Sequence, residues 1–280
     1  MTEEPQAFFL DGQPGAGGKR FAIYHPPSVR PAVGLIVYVH PLCEEMNKSR
    51  RMVALQSRAL AQAGFAVLQV DLHGCGDSSG DFGDATWADW VDDVTRAARW
   101  LGDRHALELR EGARLWLWGL RAGCLLLTQA AAQLDMQCHL LMWQPALAGK
   151  LLLQQFLRLR LAASMQGGQG KGLMQAMRQD LAAGRAVEVA GYRLHPELAS
   201  GLETATLEPP ELAGRTVWID IAARADVSTS SASTQAMAHW RAAGWELEHL
   251  QVQGPAFWQT TEIEDAPALI QATVAALRTA

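Results

Sequence analysis

Hydrophobic positions fall into short continuous runs separated by longer stretches of helical spacing. Val33–His40 (VGLIVYVH), Ala66–His73 (AVLQVDLH), Arg114–Leu120 (RLWLWGL), His139–Trp143 and Val217–Ala222 (VWIDIA) are apolar almost throughout. Such runs mark strands buried on both faces of a parallel sheet. Lys48–Ala63, Thr86 to about Leu101, Ala122–Leu134, Ser231–Ala243 and Ala266–Leu277 carry helical spacing. Gly64 suits the position just past a helix end, and Thr86 with Asp89 predicts a capped helix start. Glu246–Val252 supplies a further strand. Ala7–Asp11 and Lys19–His25 flank a Gly-rich turn and predict an edge hairpin. The alternation predicts an α/β fold with a mostly parallel central sheet, helices on both faces, and any site at the carboxyl ends of the strands.

The rhythm breaks between 148 and 214. Leu151–Ser164 and Leu173–Ala183 predict two helices around a Gly-rich turn at Gly167–Gly172, and Pro209-Pro210 ends the segment. We read 148–214 as a helical cap or lid inserted into a core formed by 1–147 and 215–280. Leu151–Leu161 (LLLQQFLRLRL) carries Arg158 and Arg160 on an apolar stretch. A lid helix over a pocket fits it; an interfacial helix touching a membrane surface is the alternative.

Composition narrows the function. The chain has 280 residues, 49% hydrophobic and 19% charged, with a formal net charge of -5. A core of useful size needs neither disulfides nor metal at this length, and the acidic balance gives no support to nucleic-acid binding. The start of the chain lacks the basic and apolar regions of a signal peptide, and no apolar run approaches the roughly 18 residues of a membrane span. Cys43, Cys75, Cys124 and Cys138 show no CxxC spacing, so reduced thiols in a cytoplasmic protein are expected. No cofactor is expected. His40, Cys43, His73 and Cys75 are of zinc-ligand type, but hydrogen bonding of strand-end histidines to loop backbone explains them as well, and no metal is assigned.

The candidate chemistry lies in the loops after the strands. Gly119-Leu120-Arg121-Ala122-Gly123 follows a strand and opens a helix, which is the frame of the G-x-S-x-G nucleophile elbow with arginine at the apex. His73-Gly74-Cys75-Gly76-Asp77-Ser78 follows the strand ending near Asp71. Asp77 and Ser78 there are read as shaping the loop through local bonds. HPLCEEMNKSR follows His40 in the place of an oxyanion-hole loop. Arg224-Ala225-Asp226 and Gly254-Pro255-Ala256-Phe257-Trp258-Gln259 follow later strands.

In this order the motifs resemble the α/β-hydrolase superfamily. HPLCEEMNKSR, DLHGCGDSSGDF and GPAFWQT resemble more particularly the hydrolase 2 proteins of exosortase A systems. The resemblance implies an α/β-hydrolase fold and an association with PEP-CTERM protein sorting and exopolysaccharide synthesis. It also implies a serine at position 121, an acid at Asp226 and a histidine near Ala256 or Phe257. The sequence keeps only the acid candidate. A guanidinium does not deprotonate in proteins, so the Ser-His-Asp route is expected to be absent.

A half-buried Arg121 needs a counter-charge, for which Glu44, Glu45 and Asp226 are candidates. Two readings follow: a salt bridge that plugs the pocket, or a partly open cationic site for a carboxylate or phosphate. Leu120, His40, Phe257 and Trp258 are expected around the same pocket, the last two as packing beneath the lid. Expected partners are a small acyl or anionic ligand or an exosortase-pathway protein. The alternative is an active ester or thioester hydrolase using an atypical nucleophile such as Cys43. His139, His239 and His249 are read as structural or surface residues, and His195 as lacking a partner.

Overall fold

The computed structural model describes residues 4–12, 18–165, 172–224 and 228–278. The elements in chain order are β1 (Gln6–Asp11), β2 (Lys19–His25), β3 (Gly34–Val39), α1 (Glu44–Gln62), β4 (Phe65–Val70), α2 (Trp87–Arg104), α3 (Ala106–Arg110), β5 (Arg114–Leu120), α4 (Gly123–Ala131) and β6 (His139–Trp143). Next come α5 (Gly149–Met165), α6 (Leu173–Ala182), β7 (Val187–Val189), β8 (Tyr192–Leu194), α7 (Pro196–Thr204), β9 (Arg215–Ala222), α8 (Ser231–Ala242), β10 (Glu246–Gln253) and α9 (Pro267–Arg278).

An eight-stranded sheet runs in the order β1-β2-β4-β3-β5-β6-β9-β10. β1 and β2 pair antiparallel, β2 pairs antiparallel with β4, and the remaining neighbours are parallel. From β3 the chain moves first to β4 and then across to β5 on the other side. The strand order therefore reverses between β3 and β5, and a crevice opens at their carboxyl ends. The turn expected in the β1–β2 hairpin lies largely outside the described residues.

Period-two alternation divides the core. Leu35, Val37, Leu115, Leu117, Leu140 and Met142 face one layer with α2, α4 and α8. Ile36, Tyr38, Trp116, Trp118, Leu141 and Trp143 face the other with α1 and α9. Central strands buried on both sides explain why their sequences read as unbroken apolar runs. Thr86 caps α2 as expected: the Asp89 N–H donates to its hydroxyl at 3.1 Å, and the Thr86 N–H donates to the Asp89 carboxylate at 3.1 Å.

Three expectations need correction. Helix α1 starts at Glu44 rather than Lys48, so Glu44 and Glu45 form its first turn, where carboxylates favour the positive end of the helix dipole. The segment between β6 and β9 holds more than two helices, because the β7–β8 hairpin and α7 follow α6. Ala190 and Gly191 join the hairpin with φ of 49° and 85°, the paired positive values of a tight two-residue turn. His195, expected to lack a partner, caps α7 by accepting the Glu197 N–H at Nδ1, 3.2 Å away. Helix α7 rests on the start of α2 so closely that a Cβ on Gly201 would lie 2.2 Å from Trp87 Cβ. Apart from Gly172, the Gly-rich turn at 167–172 lies outside the described residues. Among the described residues no helix is long and apolar enough to cross a membrane.

Removing the α2 cap with Thr86→Ala is expected to lower stability by about 1 kcal/mol, read as a lower urea midpoint with an unchanged slope.

Candidate functional site

The carboxyl ends of β3 and β5 meet at Arg121. Its φ of 55° places it in the left-handed region, a conformation that costs a non-glycine residue of order 1–3 kcal/mol. The surroundings hold it there. The Arg121 N–H donates to Trp143 O at 3.1 Å, and Arg121 O accepts from Cys124 N–H at 3.1 Å. The flanking glycines allow close packing: a Cβ on Gly123 would lie 2.3 Å from Val39 O, and one on Gly119 2.4 Å from a Leu127 methyl. The elbow frame is therefore intact, and its apex projects a guanidinium.

That guanidinium meets Glu45. Arg121 Nε lies 3.4 Å from Glu45 Oε1, with the two side chains 15% and 20% exposed. Gln259 Nε2 donates to the same oxygen at 3.4 Å, and the Arg121 guanidinium sits 5.9 Å from the Trp258 ring centroid. Glu45 Oε2 is buried with no hydrogen-bond partner among the described residues. Burial raises the Glu45 carboxyl above its ordinary value, while Arg121 pulls it down. Of the expected counter-charges, Glu45 is in place. Glu44 instead accepts the Tyr192 hydroxyl at 2.8 Å, and Asp226 lies outside the described residues.

A cavity of about 340 Å³ opens beside this pair. Cys43, Glu44, Glu45 and Trp258 line it, together with Leu42, Lys48 and Gln259. Leu152, Gln155, Phe156 and Leu159 of α5 form its outer wall. Leu120 and Phe257 are fully buried and His40 nearly so, and none of these, nor Arg121 itself, lines the cavity. Phe257 packs edge-on against Trp143 and Trp258 at 6.2 and 5.1 Å, at the loop position where the resemblance implies a histidine.

His40 uses both ring nitrogens. Nδ1 lies 2.8 Å from Pro41 O, and the Leu72 N–H donates to Nε2 at 3.2 Å. Burial keeps this imidazole neutral, so it joins the β3 and β4 loops and has no lone pair left for a metal. Cys43 caps α1 with a φ of 51° and no side-chain hydrogen bond to the helix. Burial pushes its thiol well above the ordinary range, which disfavours the thiolate. Ser78 links Asp71 O to the Phe21 N–H, and Asp77 donates its N–H to Asp71. His239 and His249 pair with Glu208 and Asp220.

The serine aminopeptidase (S33) family model, Hydrolase_4, matches residues 30–184, more than half of the chain. The chain belongs to the Hydrolase_4 family. No curated protein matches its sequence. Among solved structures this Hydrolase_4 protein is similar to Est1E from Butyrivibrio proteoclasticus with bound ferulic acid (14% identity, TM-score 0.61, 98% of each chain covered). It is also similar to a thermostable carboxyl esterase from Bacillus coagulans in complex with glycerol (12%, 0.64, 99% of each). A third is a monoglyceride lipase variant from Saccharomyces cerevisiae in complex with a substrate analogue (11%, 0.62, 99% of this chain and 95% of that one). At these identities the likeness speaks for the α/β-hydrolase fold alone.

Tyr192, Lys48, Gln259 and the cavity-facing positions of α5 were not singled out from the sequence as site residues.

Glu45 gives the site a pH signature. A carboxyl raised by burial favours the folded state when protonated. That stability is complete below the ordinary value of 4.5 and is lost as pH rises through the folded value. Without its cation the carboxylate is more costly still, so Arg121→Leu is expected to destabilise by about 1–3 kcal/mol at pH 8. The loss should be much smaller at pH 4.5, as urea denaturation at both pH values would show.

Proposed function

We propose that this protein is a catalytically silent member of its superfamily. In this reading it binds a small molecule with an acyl or similar apolar tail in the cavity beside Arg121. The observation that carries the reading is the Arg121–Glu45 pair at the elbow apex. An acyl-transfer site needs a nucleophile there and a base within reach of it. Here the apex is a cation already held by a carboxylate, and Phe257 fills the loop where a base would stand.

The cavity walls favour an apolar tail. Leu42, Leu152, Phe156, Leu159 and Trp258 supply hydrophobic surface, and Lys48 offers a cation to an acidic or carbonyl head group. The volume of about 340 Å³ lies at the lower end of the range of small-molecule sites. An anion seated directly on Arg121 has less support, because Glu45 already meets that charge. The Cys43 nucleophile reading is weakened by the raised thiol.

The motif resemblance supports a cytoplasmic role beside exosortase-linked protein sorting and exopolysaccharide export. Leu151 and Leu159 are exposed on α5 among basic residues, a pattern compatible with brief contact at a membrane surface.

The test pairs turnover with binding. Short-chain p-nitrophenyl esters and acyl thioesters are expected to be untouched, while a dansyl-labelled C11 fatty acid binds saturably. Phe156→Asp is expected to weaken that binding by about tenfold or more, since a buried charge replaces apolar contact. Ester turnover abolished by Cys43→Ala would overturn the silent reading, and absence of saturable fatty-acid binding would overturn the ligand class. Loss of PEP-CTERM protein delivery in a deletion strain is expected if the pathway assignment holds; normal delivery contradicts it.

A further inference from the structure

A second concavity lies at the opposite end of the sheet. It opens at the amino ends of β5, β6, β9 and β10 and encloses about 800 Å³. Arg110, Arg114 and Arg215 line it beside His139, while Leu109 and Met136 contribute apolar surface. We propose that this cavity binds a small organic phosphate, its guanidiniums taking the phosphate oxygens and its apolar wall the organic body.

The first argument is charge. Among the lining residues Glu246 is the one carboxylate against three arginines. Its side chain is 80% exposed and stands 3.7 Å from Arg215 Nε. Outside the lining, Glu248 accepts from Arg215 Nη2 at 2.6 Å. Among the described residues no carboxylate pairs with Arg110 or Arg114. The acids at the start of β10 answer Arg215, while Arg110 and Arg114 stand exposed at the cavity mouth with no acid paired to them among the described residues.

The second argument is burial without satisfaction. Arg215 is 7% exposed, and its Nη1 is buried with no hydrogen-bond partner among the described residues. Arg215 therefore adds a fixed positive charge behind the cavity wall, while the exposed Arg110 and Arg114 are the guanidiniums that can turn onto a phosphate.

The third argument is the state of His139. The Arg215 N–H donates to Nδ1 at 2.9 Å, so the ring proton resides on Nε2, for which no acceptor exists among the described residues. The ring leans on Trp116 at 39°, with centroids 5.1 Å apart. Burial first, then Arg114 and Arg215, hold the imidazole down to about 4. His139 is thus a neutral donor in a positive field. A phosphate brought beside it would gain a hydrogen bond and relieve the repulsion among the arginines.

This inference is independent of the acyl-binding reading, since the two cavities share no residue. Calorimetric titration of the whole chain with inorganic phosphate, pyrophosphate and adenosine diphosphate at fixed ionic strength tests it. Saturable binding is expected for the diphosphates, with adenosine diphosphate tighter than inorganic phosphate because its body meets Leu109 and Met136. Arg114 is exposed at the start of β5, so Arg114→Glu should fold with a Tm no lower than the wild type and weaken adenosine diphosphate by about tenfold or more. Arg178→Glu, on α6, should leave the affinity as it was. Amide chemical shifts should move at His139 and its neighbours. No saturable heat up to about 1 mM, an Arg114→Glu affinity equal to the wild type, or shifts clustered at Glu45 instead would overturn the proposal.

Discussion

A guanidinium at the tip of a left-handed turn sets the character of this molecule. The reversal of strand order between β3 and β5 brings two loops together at one point. Gly119 and Gly123 let the elbow pack against β3 and α4 without overlap. The same geometry that elsewhere presents an alcohol to substrate here drives a permanent charge toward low-dielectric surroundings. Glu45 answers it from the first turn of α1, where the helix dipole already favours a carboxylate. The pair then shapes the site: it stands at the elbow apex and keeps a buried acidic oxygen, Glu45 Oε2, close to a cavity that Trp258 helps to line.

The segment between β6 and β9 completes the enclosure. Helix α5 provides the outer wall, and α7 fastens the segment to α2. Tyr192 reaches back from the β7–β8 hairpin, donating to Glu44 at 2.8 Å and accepting from the Asn47 side chain at 3.1 Å. Its ring touches Phe82 and Phe156 edge-on. One hairpin residue thus ties the cavity's outer wall to the helix that carries Glu45. At the far end of the sheet the balance of charge is the reverse, with arginines gathered around a neutral histidine.

Much of the fold was legible because central parallel strands must be apolar on both faces. Arg114–Leu120 and His139–Trp143 match their strands residue for residue. The Thr86 cap was equally readable, since its partner Asp89 lies within one helical turn. The start of α1 was hidden because Cys43 at a φ of 51° makes an unusual entry, so Glu44 and Glu45 looked like loop. The β7–β8 strands are too short to show a period. For the site, the identity of the apex residue and the need for a counter-charge could be read from the sequence. Which acid answers it could not: Glu45 lies 76 positions from Arg121, and only the register of β3 against β5 brings them together. The cavity wall is hidden for the same reason, as it joins α1, α5 and the loop after β10.

The Arg121–Glu45 interaction can be measured directly by a double-mutant cycle at pH 7.5, with Arg121→Leu, Glu45→Gln and the double variant unfolded in urea. A favourable coupling of about 1 kcal/mol or more is expected for a partly buried, geometrically constrained pair. Changes that simply add, to within about 0.5 kcal/mol, would show that the two charges do not hold each other and would contradict the account.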